Sequence, residues 1–199
     1  MFNKKGNSII EVVIVIVILT IGIVGTYEIV NSGQKLATTT ENRIKAINIA
    51  REGLEAVTNI RDTNWIKFSS DYEHCWNVAN YNSNCIGAGF SVPTLTGGIL
   101  YQKESLWYLS GSTNNKIYLD NNGMVYQTGA SSIAWDNTLC TNLVSKSCRT
   151  GFTRDIQINT SFPSESMKIN SIVKWIDNSK QGEHTINLET TLKNWKIDL

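Results

Sequence analysis

The chain has 199 residues, 41% of them hydrophobic, and a formal net charge of +1 from 18 basic and 17 acidic residues. This length accommodates one hydrophobic N-terminal element and one modest globular domain. A charge so near zero gives no electrostatic footprint for nucleic acid, so direct nucleic-acid binding is not expected.

The first predicted element is an apolar helix behind a short basic start. Lys4 and Lys5 precede a run from Ile9 to Val30 in which nearly every residue is apolar. At about 1.5 Å per residue this run spans roughly 33 Å, enough to cross a bilayer. It is longer than the core of a signal peptide, and Gly25-Thr26-Tyr27-Glu28 does not resemble a cleavage site. Because positive charge stays on the cytoplasmic side, we expect a retained single-pass helix with the rest of the chain outside.

One acidic residue, Glu11, lies just inside this apolar run. A carboxylate at the centre of a membrane helix costs roughly 2.5–3.5 kcal/mol on insertion scales, and somewhat less near the helix end. The plain interpretation is a side chain that reaches the membrane interface. The alternative is that Glu11 has a specific charged partner, and its place near a helix N-terminus also suits the macrodipole.

The string Lys4-Lys5-Gly6-Asn7-Ser8-Ile9-Ile10-Glu11, followed by a long apolar helix, resembles the class III signal of type IV prepilins and pseudopilins. The resemblance implies that prepilin peptidase cleaves after Gly6 and methylates the new N-terminal amine of Asn7. It also implies that Glu11 meets the N-terminal amine of a neighbouring subunit and sets the axial register of the filament. Two opposite charges are tolerable in an apolar medium only as such a pair.

Two residues depart from the pattern of major pilins. Asn7 stands where those proteins usually have an aromatic residue or Met, and Glu28 stands where they often have proline. A small polar residue after the glycine favours a minor pilin, in or at the tip of a type IV pilus, with roles in assembly initiation, adhesion or DNA uptake. Residues 50–57 and 59–65 also resemble a stretch of minor pilins of the modification-protein type.

Two alternatives stay open: a pseudopilin of a type II secretion or competence system, and a membrane-anchored extracytoplasmic binding domain that never polymerises. If the chain is a minor pilin or a pseudopilin, the resemblance implies four partners: other pilin subunits in a helical filament, prepilin peptidase, an inner-membrane assembly platform and, before assembly, membrane lipid. It implies a final location in an extracellular filament at the cell surface.

We expect four segments: a prepilin leader at 1–6, a transmembrane and assembly helix at 7–30, its amphipathic continuation at 31–64, and a β-rich extracytoplasmic globular domain at 65–199. In the continuation, apolar residues recur every three or four positions, which predicts a helix face packed against the globular domain. They are Ile44, Ile47, Ala50, Leu54, Val57 and Ile60. With no proline in this region, any kink would fall at Gly22, Gly25 or Asn31-Ser32-Gly33.

The remainder of the chain has short β-type runs. Lys116–Asp120 and Met124–Thr128 flank Asn121-Asn122-Gly123, which predicts a hairpin because Asn and Gly tolerate the positive φ of the turn. Ile172–Ile176 and His184–Thr190 predict another hairpin. The expected fold class is α+β: the pilin fold, with a long N-terminal α-helix, membrane-spanning in its first half, packed against an antiparallel β-sheet.

Four cysteines form two short-range pairs, Cys75 with Cys85 and Cys140 with Cys148. Outside the cytoplasm two local disulfides are expected, although four cysteines allow three connectivities. Neither pair has the CxxC spacing of a zinc site. Free thiols and a mixed metal site with His74 or His184 are the alternatives, and no metal or other cofactor is expected.

The sequence contains no recognisable catalytic constellation. Ser110-Gly111-Ser112 is not a GxSxG nucleophile elbow, and Gly87-Ala88-Gly89 lacks the continuation of a nucleotide-binding fingerprint. A catalytic triad would need His74 or His184, the two histidines of the chain. No enzymatic activity and no catalytic residues are therefore expected.

The six tryptophans could indicate carbohydrate or surface adhesion. Trp175 and Trp195 lie in strand-like patterns, which favours packing in the core or the sheet over ligand binding. Trp76 and Trp107 lie in less constrained patterns.

Overall fold

The computed structural model describes residues 9–87, 93–111, 116–119, 125–127, 149–161, 165–177 and 182–196. The chain divides into two compact units, Met1–Arg43 and Ile44–Leu199. The division falls within the first helix, so each unit contains part of that helix.

The described residues form two α-helices, two short 3-10 turns and seven β-strands. In chain order these are α1 (Ile9–Lys67), α2 (Tyr72–Cys75), the 3-10 turns Ala79–Tyr81 and Ser83–Cys85, β1 (Gly97–Lys103), β2 (Leu106–Ser110), β3 (Lys116–Leu119), β4 (Val125–Gln127), β5 (Arg149–Ser161), β6 (Ser166–Trp175) and β7 (His184–Lys193). A long N-terminal helix with an antiparallel sheet confirms the α+β, pilin-like fold class.

Strand β5 is the centre of the sheet. One of its edges pairs with β6 along the whole length of β6, from Phe152↔Trp175 to Ser161↔Ser166. Its other edge is shared by two strands, because β1 pairs at Gly97↔Gln157 and β3 pairs at Lys116↔Thr153. Strand β7 pairs with the other edge of β6. All the pairings between the described strands are antiparallel.

Both predicted hairpins are formed. Strands β3 and β4 pair with Tyr118 opposite Tyr126, as the turn signal between them predicts. Strands β6 and β7 pair from Trp175↔His184 onward. The Asn121-Asn122-Gly123 turn itself lies outside the described residues.

A third hairpin, β1–β2, was not predicted from the sequence. Its two-residue turn is Glu104-Ser105, and both residues have positive φ, 51° and 67°. Two-residue hairpin turns require positive φ at both central residues, but this turn contains neither the Asn nor the Gly that usually marks such turns in a sequence. At the other end of β1, a Cβ on Gly98 would collide with the carbonyl oxygen of Ser110, so glycine permits the close approach of the two strands there.

Helix α1 is continuous through the glycines at which a kink was considered, and it ends at Lys67, beyond the expected end at residue 64. Asn64 does not end the helix because its side chain is buried and engaged elsewhere. Its Nδ2 donates to the carbonyls of Trp76 (3.2 Å) and Val78 (3.0 Å) instead of competing for the helix backbone. The N–H of Phe68 still donates to the carbonyl of Asn64 at 2.8 Å.

The helix face that packs on the sheet differs in part from the predicted stripe. Ile44 is 55% exposed, so its assignment to the packed face was wrong, whereas Ala50, Val57 and Ile60 are buried as expected. The packed face also includes three small residues that the prediction omitted, Ala46, Gly53 and Ala56. The buried residues of α1 are Ala46, Ile49, Ala50, Gly53, Ala56, Val57, Ile60, Asn64 and Trp65. Alanine and glycine allow the helix to approach the sheet closely, and the sheet supplies the bulky side chains.

Gly53 marks the closest approach between helix and sheet. A Cβ at this position would lie 2.5 Å from Ser171 Oγ, 2.9 Å from Ile156 Cδ1 and 3.3 Å from Arg154 Cδ. One hydrophobic cluster lies on the N-terminal side of Gly53, with Ala46, Ile49 and Ala50 of the helix. Another lies on the C-terminal side, with Ala56, Val57 and Ile60.

A buried charge, Arg154 on β5, lies at this closest approach. Its side chain is 1% exposed, its Nη1 donates to the carbonyl of Ile49 at 3.1 Å, and Nη1 is 3.6 Å from Glu52 Oε2. Burial lowers the pKa of Arg154, although the attraction to Glu52 opposes the shift, and the guanidinium remains protonated. Burial also raises the pKa of Glu52, against the attraction of Arg154.

The expectation for the tryptophans was right for Trp175 and wrong for Trp195. Trp175 is 5% exposed on β6, but Trp195, which follows β7, is 60% exposed. Trp195 packs edge-on against Trp65, with 5.3 Å between ring centroids. Trp76, whose pattern was less constrained, is completely buried.

Gly53→Ala should destabilise the protein even though alanine is the better helix former. Overpacking in a core costs about 1–3 kcal/mol, which exceeds the gain of about 1 kcal/mol in helix propensity. We expect a loss of about 1 kcal/mol in the free energy of unfolding, measured by denaturant titration of the full chain in detergent micelles. Adding Ser171→Ala should recover part of the loss, because it removes the nearest atom.

The matched control is Gly33→Ala, because a Cβ there meets nothing within 4 Å and should leave stability unchanged or slightly raised. Equal stability of the wild type and Gly53→Ala would contradict the close approach.

Candidate assembly site and disulfide loop

The described part of the predicted assembly helix begins with the first turn of α1 at Ile9. Glu11 is an exposed acidic residue in that turn. Gly6 and Asn7, the predicted cleavage and methylation positions, lie outside the described residues. The structure therefore supplies the position of Glu11 on the helix but not that of the amine it is expected to meet.

Around Glu11 the helix surface is apolar on all sides. Each large apolar side chain from Ile9 to Val30 is at least 50% exposed. Helix α1 is also the helix that is long and apolar enough to cross a membrane, as judged by length and composition within the described residues. An apolar surface of this kind suits a lipid environment or a partner helix rather than water.

The polar side chains of this segment bond to their own helix. Thr20 Oγ1 donates to the carbonyl of Val17 at 2.8 Å, and Thr26 Oγ1 donates to the carbonyl of Ile23 at 2.9 Å. In an apolar medium an unsatisfied hydroxyl is costly, so these intrahelical bonds make the threonines compatible with a membrane. The segment also contains two carboxylates, Glu28 near its end and Glu11 at its start, and Glu11 is the one for which the sequence predicts a partner in another subunit.

A disulfide joins Cys75 and Cys85, as predicted, with their Cα atoms 5.2 Å apart. Both cysteines are buried and pack with Phe68 and Val78. The loop is fastened to the end of α1 through Asn64, whose amide bonds to the carbonyls of Trp76 and Val78. The second predicted pair, Cys140 and Cys148, lies outside the described residues.

Asn194 ties the end of β7 to the same region. Its Oδ1 accepts from Trp65 Nε1 at 3.2 Å, its Nδ2 donates to the carbonyl of Tyr72 at 2.8 Å, and its N–H donates to the carbonyl of Glu165 at 2.8 Å. Through its side chain and its backbone, this one buried residue links α1, α2 and the residue that precedes β6. No local sequence pattern signals this role, because its partners are distant in sequence.

Asp71 closes the disulfide loop with its carboxylate. Oδ1 accepts from the N–H of His74 (3.1 Å) and lies 2.8 Å from His74 Nδ1, and Oδ2 accepts from the N–H of Gly87 at 2.9 Å. Burial alone would raise the pKa of Asp71, but the hydrogen bonds from Gly87 and His74 outweigh it and lower the pKa.

These contacts argue against the mixed metal site considered from the sequence. Cys75 is in a disulfide and offers no thiolate, and His74 pairs with Asp71. His184 is engaged separately, with Nε2 3.4 Å from Asp177 Oδ2.

The fold and the N-terminal segment define a class of protein: a membrane-anchored chain whose apolar helix leads into an α+β domain. A family model described as the prokaryotic N-terminal methylation motif matches residues 1–27. The chain thus carries a class III prepilin signal and is a type IV pilin-like protein, of the pilin or pseudopilin kind. This signal implies processing by prepilin peptidase and assembly with other pilins. No curated protein and no solved structure matches the chain.

Disulfide mapping should find Cys75 linked to Cys85 and Cys140 linked to Cys148. Trypsin has no site between Cys75 and Cys85, so their disulfide should stay within the single peptide Phe68–Lys103. Lys146 separates the other pair, so their disulfide should join two peptides. Non-reducing mass spectrometry distinguishes the outcomes, because either crossed connectivity would attach Phe68–Lys103 to a peptide with Cys140 or Cys148.

Asp71→Asn should remove an acid-dependent part of the stability. Because the pKa of Asp71 is lower in the folded chain than in the unfolded one, its contribution is complete above about pH 5 and is lost progressively as the pH falls through the folded pKa. We expect the difference in free energy of unfolding between wild type and Asp71→Asn to shrink as the pH is lowered from 6 to about 2.5, as followed by tryptophan fluorescence. Glu73→Gln, an exposed change on the same short helix, is the control, and a difference that is constant with pH would refute the role of Asp71.

Proposed function

We propose that this protein is a minor type IV pilin, a structural subunit that enters the pilus or its tip after cleavage between Gly6 and Asn7. The observation that carries the proposal is Glu11, an exposed carboxylate in the first turn of α1 and the one charged residue of the largely apolar run from Ile9 to Tyr27. A simple membrane anchor gains nothing from this charge, whereas an assembly helix uses it.

The proposed partner of Glu11 is the methylated N-terminal amine of Asn7 in a neighbouring subunit. Both groups would lie in an apolar filament core, where each charge alone is costly and the pair is compensated. The pairing requires one axial offset between helices, so it selects the register of the filament. The same helix holds the subunit in the inner membrane before assembly, with the N-terminus on the cytoplasmic side and the domain outside.

The assignment as a minor rather than a major subunit depends on Asn7 and Glu28, which depart from the major-pilin pattern. A minor subunit would be present in few copies and would initiate assembly or provide adhesion or DNA uptake at the filament. It would work with the other pilin subunits and the inner-membrane assembly platform. We infer a structural rather than a catalytic role, since the sequence offers no nucleophile with a base.

Glu11→Gln should abolish entry into filaments while leaving the protein in the membrane. In sheared surface filaments, quantified by mass spectrometry, we expect the wild-type chain at far below the level of the major subunit, beginning at methylated Asn7. The Glu11→Gln variant should be reduced at least tenfold in the filaments, because the amide cannot compensate the amine. Glu28→Gln, an equivalent change further along the same exposed helix, is the control and should enter normally.

Retention of residues 1–6, or normal entry of Glu11→Gln, would overturn the proposal. A chain as abundant as the main filament subunit would be a major pilin instead. Recovery with a secretion or competence pseudopilus, and not with surface pili, would establish the pseudopilin alternative.

A further inference from the structure

A cleft of about 630 Å³ lies between the disulfide loop and the β1–β2 hairpin. Its polar lining comes from Asn80, Thr94, Thr96 and Ser110, and Tyr101 provides an aromatic surface. This volume falls within the range of about 300–1,000 Å³ that is usual for small-molecule sites. Nothing in the pilin-like assembly described above uses this cleft.

The lining is uncharged but rich in hydrogen-bonding groups. None of the described residues around the cleft is Asp, Glu, Lys, Arg or His. Hydroxyls and a carboxamide both donate and accept, so together they suit a ligand that also presents donors and acceptors. The absence of a cation in this described lining disfavours phosphate, sulfate and carboxylate ligands, which depend on charge-assisted bonds.

The ring of Tyr101 is held in place by neighbouring tyrosine rings. It stacks on Tyr108 with 5.4 Å between centroids and an interplanar angle of 15°. Tyr108 packs edge-on against Tyr81 at 5.2 Å, and the hydroxyl of Tyr81 donates to the carbonyl of Trp107 at 2.6 Å. A ring supported in this way loses little conformational entropy when a ligand covers it.

The backbone at the cleft is strained. Asn80 and Tyr81 are consecutive non-glycine residues with positive φ, 56° and 53°. The left-handed conformation costs of order 1–3 kcal/mol for a non-glycine residue and is concentrated at functional sites. Asparagine tolerates this conformation better than other non-glycine residues do, so Asn80 combines the required backbone with a carboxamide at the cleft, whereas Tyr81 carries the larger strain.

We propose that this cleft binds one neutral sugar unit of a surface glycan. The apolar C–H face of a sugar ring would stack on Tyr101, and its hydroxyls would exchange hydrogen bonds with Asn80, Thr94, Thr96 and Ser110. A hydroxyl-rich, uncharged ligand matches this lining, whereas a charged one would lose its hydration without receiving a counter-charge. The inference deepens the proposed pilin function by giving the exposed domain an adhesive ligand.

The test uses the purified full chain in detergent micelles on a glycan array that carries neutral, sialylated and sulfated oligosaccharides beside short peptides. We expect saturable binding to at least one neutral glycan, inhibited by its free terminal monosaccharide. Asn80→Gly should weaken binding at least fivefold without loss of stability, since it removes the carboxamide and keeps the backbone conformation. Tyr101→Ala should abolish binding.

Thr96→Val and Thr191→Val form a matched pair, because both remove one exposed threonine hydroxyl but only Thr96 lines the cleft. The first should weaken binding and the second should not. Binding to no neutral glycan, to charged glycans or peptides alone, or with equal strength in Asn80→Gly and wild type, overturns the proposal. The array does not depend on filament entry, and the Glu11→Gln experiment does not depend on glycans, so each proposal can fail separately.

Discussion

The architecture of the globular domain depends on how closely α1 approaches the sheet at Gly53. With a side chain at this position, the helix would be held away from Ser171, Ile156 and Arg154. The resulting shift would loosen the packing of the two hydrophobic clusters that flank Gly53. The fold is thus organised around a position where a side chain is absent, which is why the bulky core residues are found mainly on the strands.

The buried guanidinium of Arg154 gives this contact a specific register. A buried charge without partners costs several kcal/mol, so its hydrogen bond to the carbonyl of Ile49 and its ion pair with Glu52 must be kept. Hydrophobic clusters alone tolerate small sliding movements, but a guanidinium that must reach one helix carbonyl does not. Packing of the two clusters stabilises the contact, and the Arg154 bonds favour one arrangement of helix on sheet.

Local signals in the sequence were sufficient for the prepilin signal, the long helix, the β3–β4 and β6–β7 hairpins and the Cys75–Cys85 disulfide. Each depends on residues that are close in sequence: a basic start before an apolar run, a turn between two strands, two cysteines in one loop. The β1–β2 hairpin was missed because Glu104 and Ser105 adopt positive φ without a glycine, under constraints imposed by the paired strands. Gly53, Arg154 and Asn194 were missed because their roles arise from partners far along the chain. Ile44 was misplaced because periodicity identifies an apolar stripe but not the residue at which packing begins.

The two ends of α1 place opposite demands on their surroundings. From Ala46 onward three buried polar side chains, those of Arg154, Asn64 and Asn194, hydrogen-bond to groups inside the domain. In the apolar part of the helix the hydroxyls of Thr20 and Thr26 also bond within the helix, yet the apolar surface and the carboxylate of Glu11 are left for other molecules. Helix α1 is packed against its own domain from Ala46 onward, but its apolar N-terminal part is exposed. Such exposure is unfavourable for a monomer in water and suits a subunit that passes from lipid into a bundle of like helices. The charge at Glu11 adds what an apolar surface cannot provide, because apolar contact is nearly indifferent to sliding along the helix axis whereas an ion pair in an apolar medium is not.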